Sequence, residues 1–307
     1  MRNHRWGFNM SKLIEIKGKE VQLREPFRAR TVPLVGTGRY IKMLCAASLS
    51  GVGRRALNPF LIGEAGLGKT SVVYEFSKLA EKPLFIDQGR EDLTDEDLVC
   101  TARISDDPDK KIDYILSNLG TAMIVGGIYF ADGICKLKPR ALSPYESVLD
   151  DRRYVDSSLL GERLYSHPGF RFVAATNPED MEGNPLPEFM GSRLRPMIYF
   201  DYPEPKQTEM IIRMHHPILS ENGASLLDCY WNLWRKNNSD KSPAPRDSLQ
   251  IFSLAQNLAD YELMDRNKPF VLEYSGTPSV IKKKHMEEAF KVFFSSPVRS
   301  IQCIPSR

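Results

Sequence analysis

The sequence predicts an α/β fold, with a nucleotide-binding domain built on a parallel sheet and a smaller helical domain after it. Three observations predict it. The stretch Gly63–Thr70, reading GEAGLGKT, stands between the apolar run Pro59-Phe60-Leu61-Ile62 and a helical pattern. Short apolar runs recur at 83–86, 126–132, 170–177 and 196–200, as in strands buried on both faces. Beyond Tyr202-Pro203-Glu204-Pro205 the strand-like runs stop and helical spacings take over.

GEAGLGKT has the form G-x-x-x-x-G-K-[ST] of a phosphate-binding loop. Gly63, Gly66 and Gly68 let the backbone turn tightly, so that successive N–H groups of Gly63, Glu64, Ala65, Gly66, Leu67 and Gly68 face a polyphosphate. Lys69 reaches the β- and γ-phosphates, the Thr70 hydroxyl ligates Mg²⁺, and Ser71 follows at the helix start. Val72, Val73, Phe76, Leu79 and Ala80 give that helix one apolar face, and its positive N-terminal end meets the anion.

The balance of 42 basic and 39 acidic residues, a net charge of +3, points to no nucleic-acid or membrane partner. The five cysteines form no C-x-x-C pair, which fits reduced thiols better than a disulfide framework. No apolar run approaches the roughly 18 residues of a membrane span, and the basic start leads into no apolar signal core. A cytoplasmic protein is expected.

In chain order, residues 1–20 read as a flexible polar segment and 21–203 as the nucleotide-binding domain. The latter opens with a helix over 39–47, entered through the turn Gly36-Thr37-Gly38. After the strand at 83–86, an acidic stretch holds Thr94 and Asp97 at capping-box distance. A polar loop or hairpin follows at 105–111, then a helix over 112–123. The strand at 126–132 ends in Asp132, placed to hold Mg²⁺ through its water shell. A helix over 144–149 and a hairpin within 154–170 precede the strand ending at Asn177, a residue suited to orienting a water, touching the γ-phosphate, or simply opening an Asn-Pro turn. Residues 204–307 form the helical domain, with buried stripes led by Trp231, Trp234, Phe252, Ala255, Met286 and Phe290. The adjacent His215 and His216 point apart on a helix and share no metal.

GEAGLGKT, the strands ending at Asp132 and Asn177, Arg193 with Arg195, and Pro245-Arg246 at a helix start stand in one order. Together they resemble an AAA+ ATPase, and more narrowly the MoxR branch of the dynein-related group, over roughly residues 33–259. The acidic stretch 91–98, Gly126-Gly127-Ile128, the insert before Phe170 and Pro187–Arg193 carry the narrower likeness. The resemblance implies a P-loop NTPase with a five-stranded parallel sheet in order 5-1-4-3-2, a helical lid, and a ring, usually hexameric, with ATP and Mg²⁺ at subunit boundaries. By it Lys69 and Thr70 belong to Walker A, Asp132 to Walker B, and Asn177 is sensor 1. Arg193 matches the arginine finger, with Arg195 a weaker match, and Arg246 matches sensor 2.

The family's Walker B glutamate is replaced by Gly133. General-base assistance, worth about 10²–10⁴-fold, is missing from its usual place, with Asp150, Asp151 and Glu64 as possible substitutes. The expected function is an ATPase that remodels or helps assemble a protein client, with weakened hydrolysis and a partner bearing a von Willebrand A domain. The alternatives are a non-hydrolysing ATP-bound switch or scaffold subunit, and a nucleotide-driven subunit of a DNA-processing complex, related modules of which include users of GTP.

Overall fold

The structure is a computed structural model and describes residues 13–28, 34–216, 219, 223–238, 241–264 and 278–294. They fall into two compact units, one within Met1–Val32, Thr37–Glu64 and Gly68–Phe200, the other within Pro33–Gly36, Ala65–Leu67 and Asp201–Arg307.

The first unit runs β1 (Leu13–Ile16), β2 (Lys19–Gln22), α1 (Gly38–Ser48), β3 (Phe60–Ile62), α2 (Lys69–Leu79) and β4 (Leu84–Gln88). It continues with β5 (Cys100–Ile104), β6 (Ile112–Leu116), α3 (Asn118–Val125), β7 (Ile128–Asp132), α4 (Ser143–Val148), β8 (Tyr154–Ser157) and β9 (Glu162–Tyr165). Then come β10 (Arg171–Thr176), α5 (Pro178–Gly183), α6 (Glu188–Arg193) and β11 (Met197–Tyr199).

The main sheet has five strands in order β11-β3-β10-β7-β4, every pair parallel. In order of occurrence that is fifth, first, fourth, third, second, the order the resemblance implied. The three strands at the sheet's centre are buried on both faces, with Phe60, Leu61, Tyr129, Phe130, Phe172 and Val173 at most 1% exposed, which is why they read as unbroken apolar runs.

The helix expected over 112–123 is corrected. Residues 112–116 form β6, antiparallel to β5, and the helix starts only after Ser117, whose hydroxyl accepts the Gly120 N–H at 3.0 Å. The run Ile112-Asp113-Tyr114-Ile115, with two β-branched isoleucines and an aromatic, finds its hydrogen bonds in the hairpin, and the Ser cap sets the true helix start. At Thr94 the reciprocal bonds of the capping box form, Thr94 N–H to Asp97 Oδ2 at 3.1 Å and Asp97 N–H to Thr94 Oγ1 at 3.2 Å. They close a turn, and no helix follows. Residues 13–22, most of them in the segment expected to be flexible, pair as β1 and β2, and β2 adds in parallel to β6 to make a second sheet, β1-β2-β6-β5.

Inside the first unit Asp87 accepts from Asn118 Nδ2 at 2.6 Å and from the Tyr129 hydroxyl at 2.9 Å, and Tyr129 meets Tyr145 at 2.8 Å. Burial, and after it the neighbouring Tyr145 and Asp87, push the Tyr129 phenol well up, so it stays a donor.

The second unit holds α7 (Pro205–His215), α8 (Gly223–Asn237), α9 (Pro245–Glu262) and α10 (Lys283–Phe294). Glu204 and Gln207 form a capping box at the start of α7. Ile212, Tyr230, Trp234, Phe252, Met286 and Phe290 make its core. Buried Tyr230 shares a 2.8 Å hydrogen bond with Ser248, which also reaches Ala244 O at 3.3 Å. Because Ser248 keeps that second partner, Tyr230→Phe is expected to cost only about 1 kcal/mol, measured by urea unfolding. Among the described residues no helix is long and apolar enough to cross a membrane.

Candidate functional site

Parallel register brings three strand ends to one edge. Ile62 pairs with Thr176, and Ala175 with Asp132, so the residues that follow β3, β7 and β10 emerge side by side. Gly63 N–H bonds Thr176 O at 3.3 Å, fixing where the loop departs.

The loop ends at Gly68, the N-cap of α2, with φ +89°. This left-handed backbone favours glycine, and a residue without a side chain provides no cap, so the first N–H groups of α2 are left for an outside acceptor. Val72, Val73 and Phe76 anchor α2 in the core, whereas Leu79, expected on the same stripe, is 59% exposed.

Lys69 is 7% exposed. Its Nζ donates to Gly63 O at 2.5 Å, Glu64 O at 3.0 Å and Asn177 Oδ1 at 2.8 Å. At the next residue, Thr70 Oγ1 donates to Asp132 Oδ2 at 3.0 Å. Lys69, Thr70, Asp132 and Asn177 are thus brought together across more than a hundred residues of chain. A hydroxyl beside a carboxylate is a hard-oxygen donor set of the kind Mg²⁺ takes, and a buried ammonium at a helix N-terminus suits phosphate oxygens. The residues present therefore fit a magnesium nucleotide. Tyr74, one turn further along α2, stacks on Phe27 with centroids 5.1 Å apart. Burial, then the Asp132 charge, raises its phenol pKa.

Gly133 takes φ +76° and ψ 41°, donates to Ala175 O at 2.8 Å and accepts from Lys136 N–H at 2.9 Å. The chain after Asp132 therefore turns left-handed, and glycine satisfies that turn at the lowest cost. Gly89, which sequence reasoning passed over, supports the same turn. Its N–H bonds Asp132 O at 2.7 Å, and a Cβ there would stand 2.0 Å from Gly133 O. Backbone against backbone has nowhere to yield, so Gly89→Ala is expected to destabilise by roughly 3 kcal/mol or more, read as a lowered urea midpoint. Its only sequence signal is a glycine directly after a strand.

Two of the expected substitutes for the missing glutamate, Asp150 and Asp151, are engaged elsewhere. Asp150 accepts from Arg152 and Arg193, chiefly the former, which holds its carboxyl below the usual range. Asp151 pairs with Arg55. For Glu64 the contact with Lys69 is made by its backbone oxygen.

The arginines separate clearly. Arg193 donates to Phe189 O at 2.7 Å and lies 3.4 Å from Asp150 and 3.7 Å from Glu146. Arg195 is exposed and makes no side-chain ion pair among the described residues. In the second unit Arg246 is the second residue of α9 and is exposed. A Cβ on Gly66, in that same unit and at φ +86°, would lie 2.8 Å from Arg246 Cβ. Leu67 is buried, Ala65 exposed and Ser71 half-buried.

Residues 58–194 match the AAA domain of the dynein-related subfamily, a span that runs from just before β3 to the end of α6. With the observed strand order, the match decides the fold. The first unit has the AAA+ fold. Two mutant structures of RuvB from Thermotoga maritima align with TM-score 0.54 over 84% of this chain. One is 15% identical with 70% of its own length covered, the other 16% identical with 71% covered. A putative ATPase from Cytophaga hutchinsonii aligns with TM-score 0.47 at 17% identity, over 75% of this chain and 64% of its own. No curated protein sequence matches the chain.

Proposed function

We propose that this AAA+ protein binds Mg-ATP at the Gly63–Thr70 loop, hydrolyses it slowly, and uses the bound state to remodel or help assemble a protein client in the manner of MoxR-like ATPases. The observation that carries the reading is the pair of contacts Lys69–Asn177 at 2.8 Å and Thr70–Asp132 at 3.0 Å. In this reading Lys69 exchanges its carbonyl partners for phosphate oxygens, Thr70 and Asp132 hold Mg²⁺, and Asn177 senses or orients the terminal phosphate. The metal supplies charge neutralisation, and positioning with charge stabilisation carries most of phosphoryl-transfer catalysis. Arg246 is the sensor 2 candidate. A ring of subunits, usually six, and a partner with a von Willebrand A domain belong to the same proposal and rest on the family resemblance.

The test is equilibrium binding of a fluorescent ATP analogue with and without Mg²⁺. Thr70→Ala is expected to remove most of the Mg²⁺ dependence and weaken binding by about tenfold, the loss of one charge-assisted contact of about 1.4 kcal/mol. Binding that is indifferent to Mg²⁺ and to Thr70 would refute the assignment.

The arginine finger, expected first at Arg193, is better proposed at Arg195, because Arg193 is spent on Asp150 and Glu146 of its own chain. Arg195→Ala is expected to leave the melting temperature unchanged and to abolish the slow assembled-state turnover, an arginine finger contributing about 10³-fold where the rest of the site is intact. Arg193→Ala is expected to lower stability by about 1 kcal/mol. A turnover loss confined to Arg193→Ala would reverse the choice.

A second reading has a specific observation behind it. Gly133, in its left-handed turn, offers no carboxylate, so a switch that binds ATP without turnover is the alternative. ATP would then stabilise fold and assembly while phosphate release stays at background.

A further inference from the structure

We propose that the edge of the main sheet where β4, β7 and β10 begin, opposite the nucleotide edge, is a docking surface for an acidic, leucine-like peptide segment of a partner protein. The surface has a charged part and an apolar part, joined by hydrogen bonds.

The charged part comes from cations set at helix ends. Lys82 Nζ donates to Gly126 O, at the C-terminus of α3, at 2.9 Å. Arg171 Nε donates to Ser48 O, the last residue of α1, at 2.7 Å, and Arg153 Nη1 to Val148 O, the last of α4, at 3.4 Å. Arg171 and Arg153 also converge on a single acceptor, Phe170 O, at 2.8 and 3.3 Å. Among the described residues none of the three has a carboxylate partner. Burial comes first in lowering the pKa of Lys82 and of Arg153, and after it the charge of Arg171 acts on both, joined at Arg153 by Arg55.

Helix ends do not neutralise this cluster. Each C-terminus carries about half a negative charge, so three give about −1.5, and exposed Glu81 adds one more. Against them stand Lys82, Arg153, Arg171 and exposed Arg54, while Arg55 is cancelled by Asp151. Asp150 and Glu146 are taken by Arg152 and Arg193. A positive excess of roughly one to two charges is left by this count.

The apolar part is a tight hairpin. Gly51 and Arg54 exchange two backbone hydrogen bonds of 2.9 Å, and Arg171 Nη2 ties the hairpin to the cations through Ser50 Oγ at 2.9 Å. At its tip Val52 is 104% exposed, with Leu49 68% and Leu57 49% exposed on either side. A nucleic-acid backbone would answer the charge and leave these three uncovered. A peptide that alternates carboxylates with leucine-like side chains answers both.

The probe is a fluorescein-labelled peptide of alternating glutamate and leucine, titrated with the full chain by anisotropy. A lysine–leucine peptide and a labelled oligothymidylate are run beside it. The glutamate–leucine peptide is expected to bind, more weakly as salt rises, and the lysine–leucine peptide not to bind. Val52→Ser and Arg54→Glu, both at exposed positions, are each expected to weaken binding about tenfold or more with unchanged melting temperature. Arg140→Ala, on an 89% exposed side chain elsewhere, is expected to leave it unchanged. Absent binding, or binding indifferent to both hairpin variants, overturns the proposal. So does oligothymidylate binding that Arg54→Glu weakens and Val52→Ser does not, the pattern of a phosphate-backbone occupant.

Discussion

Lys69→Ala is expected to weaken Mg-ATP binding by about 2–5 kcal/mol, the usual cost of deleting one partner of a desolvated charge pair, or roughly thirtyfold to several thousandfold. Lys69 is the only buried lysine among the described residues and donates three hydrogen bonds at the site. Its loss leaves Gly63 O, Glu64 O and Asn177 Oδ1 short of a donor, yet also removes a buried cation whose desolvation opposes folding. These two effects act in opposite directions, so the apo melting temperature should move little while nucleotide binding collapses. Thermal melts with and without Mg-ATP check both at once. A variant that melts as the parent does and is still stabilised by Mg-ATP contradicts the role given to this side chain.

The second large effect is expected at Gly133. A Cβ there has room, its nearest neighbour being Lys136 Cδ at 3.5 Å, so the cost of a side chain is the left-handed backbone, about 1–2 kcal/mol. The direction of that Cβ matters more. It faces Lys136, whose ammonium lies 3.6 Å from Asp180, and a glutamate at 133 is positioned to pair with it. Gly133→Glu alone is therefore expected to melt a few degrees lower and gain little turnover. Gly133→Glu with Lys136→Ala frees the carboxylate and is expected to raise phosphate release by at least about 10²-fold, the low end of general-base assistance. A parent that already turns over rapidly, with no gain in the double variant, would mean that another group activates the water.

What the sequence displayed of this site was the part in which chemistry and chain position coincide. The loop GEAGLGKT is contiguous, and Asp132 and Asn177 each close an apolar run, so type and place were readable together. Contacts across the fold were not. Nothing local says that Lys69 meets Asn177, or that Gly89 lies against the carbonyl of Gly133, because the parallel register of β3 with β10 creates the first and that of β4 with β7 the second. Ile112–Leu116 misread as helix because so short a mostly apolar run carries no decisive period, and pairing with β5 settled it. Arg193 and Arg195 differ by two positions in one motif, and only the packing of Arg193 against α4 tells them apart. The Gly133 departure was plain in the sequence, whereas its left-handed turn, which makes a simple glutamate restoration costly, was visible only in the backbone.

Two properties of this loop are decisive: that it holds a magnesium nucleotide, and that hydrolysis there is slow for want of a carboxylate after Asp132. The most direct measurement is calorimetric titration of the purified chain with Mg-ATP and Mg-GTP, followed by phosphate release in the same samples. Saturable, Mg²⁺-dependent binding that vanishes in Lys69→Ala is expected, with phosphate release in the parent that is slow but above background and is lost in Lys69→Ala. Absence of binding to either nucleotide, or release that persists unchanged in Lys69→Ala, would contradict this reading.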